Sequence, residues 1–346
     1  MKKRITTAAV FSLILGAGTL SAAALTDVER LGKLLYESTL LSLYEAQSCA
    51  TCHNEATGFA DLENSAVSLG DDGISTGGRN APTSAYCGLS PTLHQDKNGE
   101  YVGGMFWDGR ATGQRLHDPL AEQAQGPPLN PVEMNMPDVL TIIDRLAADP
   151  QISQQFTGVY GEEAFADPDL AYDNLARAIA AYERSSEVSR FSSRFDLGTL
   201  TDQELRGERL FMKNCTSCHA MARRGGGHPL FTNYKYVNAG VPVNPDLAAD
   251  PNCAYEYPDL GLGGFLGDPA QDGKFKVPTL RNIALTAPYS HNGYFVTLRE
   301  MVSFMNDRSG FEPEVEENLS PDVGSLGLTE QQVDDVVAFL NTLTDE

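Results

Sequence analysis

Cys49-Ala50-Thr51-Cys52-His53 and, much later, Cys215-Thr216-Ser217-Cys218-His219 are the stretches whose reading decides the fold. Two thiols three positions apart can each add to one vinyl group of a single haem. The histidine that follows then reaches the iron as an axial ligand. A redox dithiol reads differently, because it opens a helix in a thioredoxin-like strand–helix–strand unit, and no such pattern surrounds either site. A four-cysteine zinc site brings its pairs close in sequence, whereas Cys52 and Cys215 stand 163 positions apart. Neither rival accounts for a histidine after both pairs.

The flanks repeat as well. Leu31-Gly32-Lys33-Leu34-Leu35-Tyr36 precedes the first site and Arg206-Gly207-Glu208-Arg209-Leu210-Phe211 the second, each read as the end of a helix leading into a haem-binding loop. Thr201 and Glu204 form a capping-box signature that starts the second of these helices. Thr329 and Gln332 start another, with Val333, Val336, Val337 and Leu340 as its apolar stripe. Residues 137–187 carry helical periodicity. The Gly/Pro-rich stretches 70–104 and 222–275 read as loops wrapped around cofactors. The expected fold is mainly α, with little β: two cytochrome-c-like domains, 25–195 and 196–346, each wrapping one covalently attached haem.

The amino terminus bears on the compartment. Lys2, Lys3 and Arg4 are followed by an apolar run from Ala8 to Leu20 and by the small residues Ser21–Ala24. That is the layout of a cleaved export signal, residues 1–24, and it implies a periplasmic protein; an uncleaved anchor is the alternative. No other stretch is apolar enough for a stable membrane span. The formal net charge is −22, and cleavage makes it three units more negative. Nucleic acid is therefore not an expected partner, and a basic redox protein is.

Between the first motif and the helical stretch lie Gly77-Gly78-Arg79-Asn80-Ala81-Pro82-Thr83, Phe106-Trp107-Asp108-Gly109-Arg110-Ala111, Glu122-Gln123-Ala124 and Asn130-Pro131-Val132-Glu133-Met134. The C-terminal half contains Lys276-Val277-Pro278-Thr279-Leu280-Arg281-Asn282 and Thr286-Ala287-Pro288-Tyr289-Ser290-His291-Asn292-Gly293. In these motifs and their order the chain resembles the bacterial di-haem cytochrome c peroxidases, a family that includes the MauG-type maturation enzymes. The resemblance implies that the haem on His53 is peroxidatic, with Gln123 and Glu133 in its distal pocket. It implies that the haem on His219 transfers electrons and takes Met305 as its second ligand. Trp107 matches the residue between the haems, and Asn80, Thr286 and Pro288 match the ligands of an interdomain calcium. The expected function is reduction of hydrogen peroxide to water, with electrons from a small c-type cytochrome or copper protein; the resemblance leaves a homodimer open.

The chemistry agrees with those assignments. Splitting an O–O bond needs a group that moves a proton from the near to the far oxygen, which a carboxyl such as Glu133 can do. An amide such as Gln123 orients bound peroxide without adding charge. A thioether ligand raises a haem's potential relative to His or Tyr, which suits a haem that stores an electron. Met301, one turn before Met305, is its rival as ligand.

One feature departs from the usual peroxidase. Most of the family's peroxidases close the peroxidatic haem at rest with a histidine from the loop after the first motif, yet residues 54–79 contain none. The His53 haem is therefore expected to rest open or water-bound, with His94, His117 or another group as the rescuing candidates. MauG-type enzymes share an open haem but carry Tyr where Met305 stands, so two rival functions stay open: peroxide-dependent modification of Trp or Tyr in a partner protein, and plain electron transfer. His228 is expected near the second haem, and His291 as a structural or electron-path residue. Cys87 and Cys253 remain. An oxidising compartment favours a bond that would staple the two halves, against two free thiols or an intermolecular bond.

Overall fold

The computed structural model describes residues 24–222 and 227–346; the expected export signal lies outside the described residues. The first half is built from α1 (Asp27–Glu37), α2 (Cys49–Cys52), α3 (Pro119–Ala124), α4 (Gly126–Leu129), α5 (Val139–Ala148), α6 (Pro150–Tyr160) and α7 (Pro168–Glu183). The second follows with α8 (Arg194–Leu197), α9 (Asp202–Asn214), α10 (Pro245–Ala249), α11 (Leu262–Leu266), α12 (Leu298–Asn306) and α13 (Glu330–Asn341). Among the described residues, strand is confined to two antiparallel pairs inside the long loops, β1 (His94–Gln95) with β2 (Tyr101–Val102) and β3 (Tyr236–Val237) with β4 (Phe275–Lys276). The fold is mainly α, as the motifs implied.

Helix starts follow local chemistry. Thr201 with Glu204 and Thr329 with Gln332 form full capping boxes, as do Thr26 with Glu29 and Thr297 with Glu300. Asp118, Asp149 and Asp167 cap α3, α6 and α7, each just before a proline whose fixed φ suits a first turn. Each such cap stabilises its helix by about 1 kcal/mol.

Two helix crossings carry the core. In the first half α1 crosses α7 at Gly32, where an added Cβ would lie 1.9 Å from the carbonyl oxygen of Ala178. In the second, α9 crosses α13 at Gly207, where a Cβ would lie 1.9 Å from the carbonyl oxygen of Asp335. Four residues past each glycine an aromatic ring, Tyr36 or Phe211, packs on Tyr182 or Phe339, with centroids 5.3 and 5.2 Å apart. The stripe expected on α13 is buried at Val333, Val336 and Leu340, and Phe339 joins it.

The two motifs enter differently. α9 runs straight into Cys215, as expected, but α1 stops at Glu37, well before Cys49. The intervening loop is pinned by buried Asp71, whose carboxylate accepts from Ser42 Oγ at 2.9 Å and from the Ala46 amide at 3.1 Å.

Candidate functional site

Each motif forms one helical turn, so its two sulfurs share a face and the histidine follows at the turn's end. His53 Nδ1 hydrogen-bonds the carbonyl of Phe59 at 3.2 Å, and His219 Nδ1 that of Phe231 at 2.8 Å. With Nδ1 engaged, Nε2 is the nitrogen left for iron. Burial holds both imidazoles below the ordinary histidine range, so they stay neutral as ligation requires. Burial also pushes Cys52 up to about 11 and Cys215 up to about 12, and Cys49 well up. Thiols this hard to ionise do not suit a thiolate zinc site or a reactive dithiol. The residues at both motifs fit a covalently attached haem.

Phe59 and Phe231 both stand in the left-handed backbone region, at φ 64° and 54°. In each case a threonine hydroxyl fixes the preceding carbonyl: Thr83 Oγ1 donates to Gly58 O at 2.7 Å, and Thr279 Oγ1 to Leu230 O at 2.8 Å. These threonines close the Ala81-Pro82-Thr83 and Val277-Pro278-Thr279 runs. The two runs are therefore equivalent parts of a duplicated haem cradle, a correspondence that sequence reading missed although the shared Pro-Thr was there to find.

A cavity of about 300 Å³ opens beside the second motif. Cys215, Cys218, His219, Met301 and Met305 line it, as does Trp107 from the first half. Both methionines of α12 thus reach the cavity, and geometry alone does not separate them. Trp107 donates from Nε1 to the Asn80 carbonyl at 2.9 Å, and its own carbonyl accepts the Lys276 amide at 2.8 Å. The indole is tied to the segment leading to Pro82, and the Trp107 backbone to β4. Asn80, Thr286 and Pro288 line the same cavity, and the Asn80 amide donates to Ser65 O and Ala66 O.

Glu133 sits in the loop after α4. Its Oε1 accepts from Asn130 Nδ2 at 2.6 Å, and its charge acts to raise the thiols of Cys49 and Cys52. Burial raises its carboxyl above the usual range, against an opposing pull from Arg110. Gln123 is half-buried on α3. Its neighbour Glu122, passed over in the sequence, accepts the amides of Gly113, Arg115 and Leu116 at 2.6–2.8 Å and so locks the loop before α3.

Of the other histidines, His291 also lines the cavity beside the second motif. His94 is exposed on β1, bonded to Thr92 O, and His117 is exposed. His228 hydrogen-bonds Asp196 at 2.7 Å and stacks on Phe191, beside Ala220 of the second motif's loop. His291 is buried, stacked on Phe275 with centroids 3.7 Å apart, its Nε2 3.4 Å from Glu314. The expected staple between Cys87 and Cys253 is corrected: both are free thiols. Cys253 is held beside Gly77, because the Thr76 backbone pairs with Asn252 and Ala254, and its sulfur donates to Gly77 O. Cys87 starts a separate turn in the cavity wall, and its sulfur donates to Thr83 O.

A family model described as di-haem cytochrome c peroxidase matches residues 26–204, and one described as cytochrome c matches 204–344. The methylamine utilization protein MauG of Paracoccus denitrificans is 40% identical, over 96% of this chain and 93% of that protein. The cytochrome c peroxidase Ccp of Escherichia coli is 33% identical over 92% of this chain, which spans 58% of that longer relative. Among solved structures, the Y463M variant of the diheme peroxidase BthA from Burkholderia thailandensis superposes with a TM-score of 0.80 at 30% identity, covering 94% of this chain and 87% of that one. Among the described residues no helix is long and apolar enough to cross a membrane. The chain therefore belongs to the di-haem cytochrome c peroxidase and MauG family, and is an oxidoreductase that carries two covalently attached haem c groups.

Proposed function

We propose that this chain is a periplasmic peroxidase that reduces hydrogen peroxide to two waters, consuming two electrons and two protons. The observation that carries the reading is the half-buried Glu133 carboxyl, raised above its usual range and coupled to the first motif's cysteines, together with a second site lined by two thioethers. When bound, the haem on His53 supplies the iron at which peroxide is reduced, and that on His219 supplies a second one-electron site. Glu133, held by Asn130, takes the proton from one peroxide oxygen and returns it to the other. A carboxyl that keeps its proton above the usual range suits that exchange. Gln123 orients the substrate as a neutral hydrogen-bonding group. Trp107, fixed at both its indole and its carbonyl, is the aromatic bridge between the halves.

Met305 is assigned as the second haem's other ligand, with His219. Asn80, Thr286 and Pro288 are assigned to a calcium ion between the halves. The donor is a small c-type cytochrome or copper protein, which the strongly acidic chain would attract through a basic face.

A second reading is favoured by the 40% identity to MauG: peroxide-dependent modification of Trp or Tyr in a partner protein. The presence of Met at position 305 supports the peroxidase reading over it. Replacing Glu133 by Ala tests the first. Turnover of peroxide with reduced cytochrome c should fall by about 10²- to 10⁴-fold with both haems still attached. Undiminished turnover sinks the assignment. Mass spectrometry of co-expressed partner proteins after peroxide treatment tests the second reading, which needs new covalent modification.

A further inference from the structure

Lys276 is a half-buried ammonium whose hydrogen-bond partners are neutral. It extends from β4 into the wall of the second cavity, and its Nζ donates to Gly104 O at 3.0 Å and lies 3.5 Å from Met105 Sδ. Burial pulls it below the ordinary lysine range. The carboxylate whose charge it feels, Asp108, is already taken by two arginines, Arg79 at 2.6 Å and Arg110 at 2.9 Å. Screening a cation from water without an anion beside it costs several kcal/mol. Such a cation persists where an anion is meant to come.

The anion that belongs in this cavity is part of the cofactor. A haem joined to Cys215 and Cys218 through its vinyl edge carries two carboxylates at the opposite edge. The cavity's remaining charged wall repels them. Asp259 is bound by Arg79, Glu314 accepts the Tyr255 hydroxyl and the Asp259 amide, and Asp322 adds a third carboxylate. Lys276 is the one lysine or arginine among the described lining residues. Its backbone amide also donates to the carbonyl of Trp107.

We propose that Lys276 is the internal counter-ion of a propionate of the second haem and, through that pair, a positioning residue that sets the haem's edge against Trp107. This rests on the attached haem and not on the peroxide reading, so either can fail without the other. Removing one positive charge on the order of 10 Å from the iron, at an effective dielectric near 20, shifts a one-electron equilibrium by roughly tenfold.

The test uses the holoprotein. In its crystal structure, Lys276 Nζ should lie within about 3 Å of a propionate oxygen; both propionates elsewhere overturn the proposal. In Lys276→Met, potentiometric titration should show the second haem's reduced fraction at fixed poise lowered about tenfold, or 59 mV for one electron. Lys276→Arg should restore most of it. An unshifted potential in Lys276→Met, with both haems attached, overturns the proposal equally. Should Lys276→Met fail to fold, the wild-type structure decides alone.

Discussion

The two haem-binding halves share a scaffold and differ in polarity. Gly32 and Gly207 seat on backbone carbonyls at equivalent crossings, and Phe59 and Phe231 hold the two histidines with left-handed carbonyls. Tyr86 and Asn282, each three residues past its cradle threonine, also share the left-handed region. The side chains on this scaffold diverge. The second half packs Phe211 on Phe339, whereas the first uses Tyr36 and Tyr182, and Tyr36 donates its hydroxyl to the carbonyl of His53 at 2.8 Å. After Phe339 comes Leu340, buried in an apolar cluster; after Tyr182 comes Glu183, a buried carboxyl whose Oε2 has no hydrogen-bond partner. At these crossings one frame thus serves two environments, apolar beside the second motif and hydroxyl- and carboxyl-bearing beside the first. That is the division expected when only one site must handle protons.

The shared frame can be broken symmetrically. Gly32→Val and Gly207→Val should each destabilise by about 3 kcal/mol or more, because a side chain there meets backbone that cannot move aside. Thermal unfolding followed at the haem absorbance would measure it, and parental melting temperatures in either variant would break the equivalence.

The polarity difference can be sharpened through pH. Burial raises the Glu183 carboxyl to about 8, above its unfolded value near 4.5. The folded state therefore binds the proton more tightly, so this group's stabilisation is full below the unfolded value. It is lost as pH rises through 8. Stability should decline by a few kcal/mol across that window. Glu183→Gln should flatten the decline, and a persistent slope in denaturant titrations at pH 5 and 8 would locate its cause elsewhere. The smallest effect concerns the cradles. Thr83→Val removes a buried hydrogen bond and Thr279→Val a part-buried one, each costing about 1–2 kcal/mol. Each should perturb the spectrum of its own haem only; a change at the other haem would mean that the cradles are not independent.

Much of this was legible along the chain. Haem attachment needs five consecutive residues, and helix caps need four, so both can be read wherever they occur. The first helix was legible, but its early stop was not, because Asp71 holds the loop before Cys49 from a distant segment. The pairing of Cys87 with Cys253 was misjudged for the same reason: compartment chemistry favours a bond, but the Thr76 backbone carries Cys253 away.

The sequence by itself determined what binds covalently and how each histidine follows its thiols, since those depend on neighbours along the chain. Only the tertiary structure decided which carbonyls orient the imidazoles, which glycines lie at crossings, that Lys276 enters the second cavity and that Glu183 stands where Leu340 has its counterpart. The glycine crossings, the lysine's contacts and the threonines that fix the imidazole carbonyls join groups tens to hundreds of residues apart, and burial, not identity, gives a lysine or a carboxyl its altered chemistry.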